Sequence, residues 1–326
     1  MTIAKKLAAL CFAATTLVSS ATFAAEVTLK ASHNANPDEP YHLGMQRMNE
    51  LLMEKTGGKA EIQVFSNAQL GDEMESIQGT QIGTVDIAVT ANELLVNFVP
   101  DMGVLSLPFL FDDALHMDRT LKNEDVVAQM NEILTAKGFR LIGIFSAGTR
   151  HIMTKKPVET IEDMADLKIR TMQTPAHLDT FKQFGANPTP MAYTELYGAL
   201  ETGVVDGAEA ANTNYHSQKF YEVAPNWAIL GWLEIVAPVV MGEARFQQLP
   251  EDVQAALLEA GAEAAAYQRE TYRNSDEERY EQLVAAGVNV THPDDAPFRA
   301  RAEEVYAAYT QTDAQKKLLE LLKSVD

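Results

Sequence analysis

Residues 60–89 read AEIQVFSNAQLGDEMESIQGTQIGTVDIAV. Apolar residues alternate over 62–64, as they do in a half-buried strand, and a segment with helical character follows over 72–81. Gly83 ends that segment before a second apolar run at 85–89. This order of strand, helix and strand is typical of a parallel sheet with helices on its faces.

The same order of elements occurs on both sides of this stretch. Upstream, residues 27–31 alternate as a strand does, and apolar residues recur at helical spacing over 41–52 until Gly57 ends the helix. Downstream, a strand at 167–171 is followed by a helix over 175–184. The chain is therefore predicted to be an α/β protein built from two lobes.

A short motif recurs in the two predicted lobes. Residues 83–88 read GTVDIA and residues 203–208 read GVVDGA, and each follows a predicted helix. Thr194 is expected to cap the second of these helices. The recurrence indicates two lobes of similar architecture, although a match of six residues can also arise by coincidence.

The longest helical segment runs over 250–285. A helix of 30 or more residues would be about 45 Å long, enough to cross both lobes, so we expect it to join them. The amphipathic segments near 296–309 and at 313–323 are expected to pack on the second lobe.

The N-terminus has the pattern of a secretory signal peptide. Lys5 and Lys6 precede an apolar run over 7–18, and small residues follow up to Ala24. The run is shorter than the ~20 residues that span a bilayer, and we expect cleavage after residue 24, export to the periplasm and a mature chain that is not embedded in a membrane. The single cysteine, Cys11, lies in this segment, so no disulfide is expected.

The charge of the chain limits its partners. The formal net charge is −20, so nucleic acid, which binds clustered Lys and Arg, is not an expected partner. The same charge repels anionic ligands at long range, and any anion site must depend on local arginines and backbone N–H groups.

Sequence motifs for catalysis are missing. The chain has no nucleophile elbow, no P-loop, no dinucleotide-binding glycine motif and no H-E-x-x-H sequence. Its seven histidines include no pair at metal-ligand spacing on one helix. We therefore expect a protein that is not an enzyme and has no cofactor, with an enzyme left as a third alternative.

Arg170 is the most informative polar residue. It lies near the end of the strand in 167–173, LKIRTMQ, and ligands of open α/β sheets collect at the carboxyl ends of strands. A guanidinium there can hold a carboxylate through two parallel hydrogen bonds. The alternative is an ordinary salt bridge on the surface of a lobe.

Residues 167–210, LKIRTMQTPAHLDTFKQFGANPTPMAYTELYGALETGVVDGAEA, resemble the substrate-binding subunits of tripartite ATP-independent periplasmic (TRAP) transporters, the DctP-like group. The LKIR, GANPTPM, E-x-Y-x-AL and GVVDG elements occur in the family's order and spacing. The matches at 69–73, 107–111 and 148–150 extend the resemblance over nearly the whole mature chain. The resemblance implies a two-lobe periplasmic binding protein fold, a small carboxylate ligand and delivery to TRAP membrane permease subunits.

The resemblance also implies roles for individual residues. Arg170 would be the clamp on the ligand carboxylate and Arg150 a second cationic contact, while Glu73, Met172, Gln173 and Tyr193 would line the pocket. Two of these roles have alternatives: the glutamate would also favour a helix N-terminus, and the tyrosine would also suit the core. With His33 and Asn212, Glu73 and Gln173 form the set expected to select ligand hydroxyls.

This sequence departs from the family at two places. Many relatives have an asparagine where Ala210 stands, so its role would pass to Asn212 or disappear, and Asn214 would be an ordinary loop residue. The second place is Gly231-Trp232-Leu233-Glu234, which resembles a stretch in members that hold 2-oxo acids through a cation. Glu209 and Glu234 would then be metal ligands. We favour the alternative without a metal, in which Trp232 forms the pocket wall and Glu234 binds a ligand hydroxyl.

The ligand that fits these residues best is a polyhydroxylated acid, a uronate or an aldonate. C4-dicarboxylates come second and 2-oxo acids third, and a sensor that presents its closed form to a membrane receptor is the rival to transport. The expected divisions of the chain are a signal peptide at 1–24, lobe I at 25–148 plus 236–275, and lobe II at 149–235 plus 276–326.

Overall fold

The structure is a computed structural model that describes residues 25–325. The predicted signal peptide, with Cys11, lies outside the described residues. The first lobe begins with these elements: β1 (Val27–Ser32), α1 (Pro40–Thr56), β2 (Ala60–Phe65), α2 (Glu73–Ile82), β3 (Ile87–Val89) and α3 (Asn92–Leu95).

Local sequence explains where these elements start and stop. The Asp72 side chain accepts a hydrogen bond from the backbone N–H of Glu75, whose own side chain accepts one from the N–H of Asp72, which starts α2 with a capping box. Gly57 ends α1 in the left-handed conformation, with φ of 62°. The predicted helical spacing of α1 is confirmed, because Met45, Met48 and Leu52 are all buried.

The middle of the chain connects the lobes and then builds the second. The connecting elements are the 3-10 helix Pro100–Ser106, α4 (Ala114–Thr120), α5 (Glu124–Thr135), β4 (Phe139–Thr154) and the 3-10 helix Ile161–Met164. The second lobe contains β5 (Lys168–Thr171), α6 (Pro175–Gln183), β6 (Asn187–Pro190), the 3-10 helix Tyr193–Glu195, α7 (Leu196–Thr202), β7 (Gly207–Ala210), α8 (Asn212–Ser217) and the 3-10 helix Phe220–Glu222.

The chain then returns through the first lobe. The remaining elements are β8 (Asn226–Gly242), α9 (Glu243–Gln247), α10 (Glu251–Ala285), β9 (Asn289–Thr291), α11 (Ala296–Tyr306), the 3-10 helix Ala307–Tyr309 and α12 (Asp313–Lys323). No helix in the described range 25–325 is both long and apolar enough to cross a membrane.

The strands form one sheet in the order β2-β1-β3-β8-β4-β7-β5-β6, with β9 paired to β8. Strands β1, β2 and β3 pair in parallel in the first lobe, and β5, β6 and β7 do so in the second. Between them, the long strands β4 and β8 pair antiparallel and continue from one lobe into the other. The expected sheets of the two lobes are thus joined, because 16-residue and 17-residue strands are long enough to serve both.

The joined strands are irregular where they pass between the lobes. The pairing register of β4 against β8 shifts between Ser146 and Thr149, opposite Val236 and Glu234. Gly148 lies inside this shift with φ of 81°, a conformation that favours glycine. The regular pairing of β4 with β8 is therefore interrupted at this point.

The recurring motif has the same structural role in both lobes. Asp86 donates its backbone N–H to the Lys30 carbonyl, and its carboxylate accepts the N–H of Lys30 at 2.8 Å. Asp206 makes the same two bonds with Lys168, whose N–H donates to the carboxylate at 2.9 Å. The two copies of the motif therefore share a structural role, and their sequence similarity is not accidental.

Helix α10 contacts both lobes, as the sequence predicts. Lys55 of α1 forms ion pairs with Glu259 and Glu263 in the first half of α10, at 3.1 and 2.7 Å. Further along, Asp276 accepts hydrogen bonds from Asn212 and Thr213 of α8. At 35 residues the helix is about 52 Å long.

Two expectations about helices need correction. Thr194 does not cap α7: it lies inside the 3-10 helix Tyr193–Glu195, and the residue before α7 is Glu195. Helix α11 packs on α6 in the second lobe, but α12 packs on α5 and on the 3-10 helix Pro100–Ser106. The hydrogen bond from Thr312 Oγ1 to Asp101 Oδ1, at 2.8 Å, fixes this position of α12.

Candidate functional site

A cleft lies between the two lobes, with a volume of about 750 Å³ that includes the solvent at its mouth. The residues that follow β1, β3, β5 and β6 line it, together with the N-terminal residues of α1 and α2. Its position agrees with the rule that ligands bind beyond the carboxyl ends of strands. Of the expected site residues, Arg150, Arg170, Glu73, Met172, Gln173 and Tyr193 are on its wall.

Arg170 is held by the backbone of the neighbouring strand. Its Nε and Nη2 atoms donate to the Met191 carbonyl at 3.1 and 2.9 Å. Its Nη1 atom is buried and has no hydrogen-bond partner among the described residues, and it lies 3.6 Å from Glu209 Oε1. The guanidinium is therefore fixed on one side and free to donate on the other.

Arg150 is anchored behind it by an acid. Its Nε donates to Glu209 Oε2 at 2.6 Å, and its Nη1 donates to the Ala147 carbonyl and to Asn214 Oδ1 at 3.2 and 3.3 Å. Burial alone would raise the pKa of Glu209, but the charges of Arg150 and Arg170 outweigh burial and hold that pKa below its usual value. Two buried guanidinium groups thus share one carboxylate, that of Glu209, as their ion-pair partner.

The first lobe places acidic groups on or near the opposite wall. Glu73 begins α2 and is 7% exposed, and burial raises its pKa to about 7. Glu93 in α3 is fully buried, its pKa is raised by burial to about 8, and neither carboxylate oxygen has a hydrogen-bond partner in the described part of the chain. Both groups can therefore carry a proton near neutral pH, and Glu73, which lines the cleft, can donate it to a ligand oxygen.

Sequence reasoning missed several residues of the cleft, of which Asn214 is the most connected. Its Oδ1 accepts from Arg150 Nη1 and from the Tyr272 hydroxyl at 2.9 Å, and its Nδ2 donates to Glu39 Oε2 at 2.8 Å. Tyr41 also lines the cleft. Asn214 lines the cleft, whereas Asn212, two residues before it, does not.

Asn212 and His33 are not on the cleft wall. Asn212 donates to Asp276 at 3.0 Å and accepts from Trp227 Nε1 at 2.8 Å, so its amide is occupied on the far side of α8. His33 is 1% exposed, its Nε2 lies 3.1 Å from His42 Nδ1, and burial lowers its pKa to about 3. The structure assigns both residues to internal contacts.

Trp232 and Glu234 are also buried outside the cleft. Trp232 is fully buried with its ring edge-on to His177 and Phe181, at centroid distances of 5.0 and 5.1 Å. Glu234 accepts from Thr149 Oγ1 at 2.7 Å, and burial raises its pKa to about 8. Neither side chain lines the cleft, and their expected contacts with a ligand stay a prediction.

The two possible metal ligands, Glu209 and Glu234, each bond a different set of neighbouring side chains. Glu209 is committed to Arg150 and Arg170, whereas Glu234 is committed to Thr149. Across residues 25–325, no group of three or more His, Cys, Asp or Glu side chains is arranged to hold a metal ion.

Comparisons with known proteins identify relatives of this arrangement. The family model for bacterial extracellular solute-binding proteins, family 7 (DctP), matches residues 31–313. A solute-binding protein of Roseobacter denitrificans is 33% identical over 296 residues, which cover 90% of each chain.

Two solved structures are similar in fold as well as in sequence. A TRAP periplasmic solute-binding protein from R. denitrificans with bound β-D-glucuronate is 31% identical, with a TM-score of 0.87 over 92% of this chain and all of that one. A second, from Xanthobacter autotrophicus with bound β-D-galacturonate, is 26% identical, with a TM-score of 0.88 over 91% of this chain and all of that one.

Proposed function

Because the chain belongs to the DctP family of extracellular solute-binding proteins, we propose that it captures a sugar monocarboxylate, a uronate or an aldonate, between its two lobes. The observation that carries this proposal is the pair of buried guanidinium groups, Arg150 and Arg170, which share the carboxylate of Glu209 as their ion-pair partner. A ligand carboxylate would give this pair a second anionic partner.

The Nη1 atom of Arg170, which has no hydrogen-bond partner among the described residues, indicates where the ligand carboxylate would bind. A buried cation without a counter-charge is costly, so a carboxylate that reaches Nη1 gains a charge-assisted hydrogen bond and removes that cost. Two carboxylates on one ligand would fit less well, because the second would approach the acidic side chain of Asp72, which also lines the cleft. This charge arrangement supports a monocarboxylate over a C4-dicarboxylate.

The rest of the cleft supports a ligand with many hydroxyl groups. Glu73, Gln173, Tyr193 and Asn214 place hydrogen-bonding groups around the clamp. The Tyr193 hydroxyl is buried without a partner among the described residues, so it is available to a ligand. The bound β-D-glucuronate of the R. denitrificans relative and β-D-galacturonate of the X. autotrophicus relative support a sugar acid of this kind.

We also retain the expected division of the chain as part of the proposal. The register shift at Ser146 and Thr149 supports a boundary between lobes near residue 148, and Val236 supports the return to the first lobe near residue 236. Secretion through residues 1–24, action in the periplasm, delivery to TRAP permease subunits and the absence of catalysis complete the proposed function.

A ligand screen tests this function directly. Purified protein is heated with β-D-glucuronate, β-D-galacturonate, D-galactonate, succinate or pyruvate, and its unfolding temperature is recorded. A sugar acid present at 100 times its dissociation constant should stabilise the protein by about 2.7 kcal/mol. Mass spectrometry of the recovered acid should show it unchanged. Stabilisation by succinate or pyruvate alone, or conversion of the acid, would overturn the proposal.

A further inference from the structure

Glu39 of the first lobe makes an unusual set of contacts across the cleft. It precedes α1, is 3% exposed and lines the cleft. Its Oε2 accepts from Asn214 Nδ2 at 2.8 Å, and its Oε1 accepts from Ser217 Oγ and Gln218 Nε2 at 3.0 and 3.2 Å. These three donors belong to α8 and the residue after it, so a single first-lobe carboxylate holds one end of a second-lobe helix.

The position of Glu39 in its own helix does not explain these contacts. A residue that caps a helix normally accepts from the N–H groups of that helix, but the Glu39 side chain makes no such bond to α1. Its one contact within the first lobe is the N–H of Asn36, at 3.1 Å. No cation of the described chain lies within ion-pair distance of it. The carboxylate therefore depends on second-lobe donors for its solvation.

How strongly the Glu39 carboxylate favours the closed arrangement of the lobes depends on two opposing contributions. When the lobes separate, water must replace the three hydrogen bonds that Asn214, Ser217 and Gln218 donate to the Glu39 carboxylate. Each of these hydrogen bonds favours the closed state, and the cost of burying the Glu39 carboxylate, which raises its pKa, partly offsets them. The balance decides how tightly closure is held, and closure controls how fast a trapped ligand escapes.

Helix α8 links these contacts to the clamp. Asn214, which donates to Glu39, accepts from Arg150 Nη1 through its Oδ1 atom. The same oxygen accepts from Tyr272 on α10, the helix that joins the lobes. A ligand that positions Arg150 therefore also positions the donor that Glu39 needs.

We propose that Glu39, with Asn214, Ser217 and Gln218, forms an interlobe latch that sets the release rate of the ligand by holding the closed state. The latch rests on the proposed function, since it presumes that the ligand is captured by closure. Glu39 acts as a positioning residue, and its effect reaches the ligand through the position of α8.

The experiment separates the latch from direct ligand contact. Ser217 and Gln218 are not on the wall of the cleft, so the variant Ser217→Ala/Gln218→Ala removes two latch donors and leaves the site residues in place. Glu39→Ala removes the acceptor. Glu54→Ala, which removes an exposed carboxylate from α1, is the matched control. β-D-glucuronate is the probe, and its dissociation rate is measured by stopped-flow tryptophan fluorescence.

Both latch variants should release glucuronate roughly tenfold faster than the wild type, and the control should not. The two effects should not be additive in the triple variant, because they remove the same contacts. If Glu39→Ala weakens binding while Ser217→Ala/Gln218→Ala releases ligand at the wild-type rate, Glu39 is a ligand contact and the latch is wrong.

A second measurement needs no ligand. The radius of gyration of the ligand-free Ser217→Ala/Gln218→Ala variant, from small-angle X-ray scattering, should exceed that of the Glu54→Ala control. Equal radii would overturn the latch. Because this result is independent of glucuronate, it decides on the latch even if the wild type binds no sugar acid and the proposed function fails.

Discussion

Gly143 of β4 and Gly261 of α10 meet backbone to backbone. A Cβ atom added to Gly143 would lie 2.8 Å from the Gly261 carbonyl oxygen, and one added to Gly261 would collide with the Ile142 carbonyl oxygen. The helix that joins the lobes thus lies directly on the strand that passes between them, with no side chain in between.

Gly261→Ala should therefore destabilise the protein. The added methyl group meets backbone atoms that cannot move aside as a side chain does, and overpacking of this kind costs about 1–3 kcal/mol. Gly198→Ala is the control, because Gly198 lies in α7 with open space around its Cα. That change should stabilise by up to about 1 kcal/mol. Urea unfolding of both variants measures the difference, and equal stabilities would contradict the close contact.

Arg170→Lys should weaken ligand binding at least tenfold. Lysine keeps the positive charge but has neither the planar fork that bonds the Met191 carbonyl nor a second donor fixed toward the ligand. Isothermal titration calorimetry with β-D-glucuronate measures the loss, and circular dichroism checks that the variant is folded. Wild-type affinity in a folded Lys variant would remove the clamp role.

Glu73→Gln should change the pH dependence of stability. Burial raises the pKa of Glu73 from 4.5 to about 7, so its contribution to stability is fully present below pH 4.5 and is lost as the pH rises through 7. Glutamine cannot ionise. The ligand-free variant should therefore be more stable relative to wild type at pH 8 than at pH 5, by at most about 3 kcal/mol. Thermal unfolding at both pH values measures this, with Glu54→Gln as an exposed control. An unchanged difference would mean that Glu73 titrates normally.

Ligand should reduce the radius of gyration of the wild-type protein, because the latch holds only part of the ligand-free population closed and the ligand closes the rest. The irregular region of β4 around Gly148 and the joining helix α10 allow the lobes to move as units. Small-angle X-ray scattering with and without saturating β-D-glucuronate gives the change. An unchanged radius at saturation would argue against a hinge.

Binding should survive removal of metal ions. Arg150 and Arg170 can neutralise a carboxylate without a cation, and Glu209 is already committed to both. Protein dialysed against EDTA in sodium-free buffer should bind glucuronate with unchanged affinity in calorimetry. A loss of binding that Ca²⁺ or Na⁺ restores would favour the cation-bridged alternative and a 2-oxo acid ligand.

The sequence predicts most helices, most strands and six residues of the cleft wall, because each of these depends on local pattern or on motifs of contiguous residues. The sequence does not predict which of two side chains, one or two positions apart, points into the cleft. His33 and Asn34 are neighbours in the loop after β1, yet only Asn34 lines the cleft. Asn212 and Asn214 are two residues apart on a helix and point to opposite sides.

Contacts between the lobes cannot be predicted from local sequence patterns. Glu39 and Asn214 are separated by 175 positions in the chain. No periodicity or motif connects them, since their pairing depends on how the two lobes approach each other. The same holds for the long strands β4 and β8, which are buried along nearly their whole length, so that no change in burial pattern indicates where one lobe ends.

The return of β8 to the first lobe has a consequence for folding. Strand β3 pairs with the end of β8, where Ile87 is opposite Met241, so these partners are 241 − 87 = 154 residues apart. The sheet of the first lobe thus stays incomplete until almost three quarters of the chain has been synthesised. Pairings between distant segments form slowly. A chain of this topology remains unfolded for longer after it leaves the ribosome, and an unfolded chain is what a secretory translocon can thread.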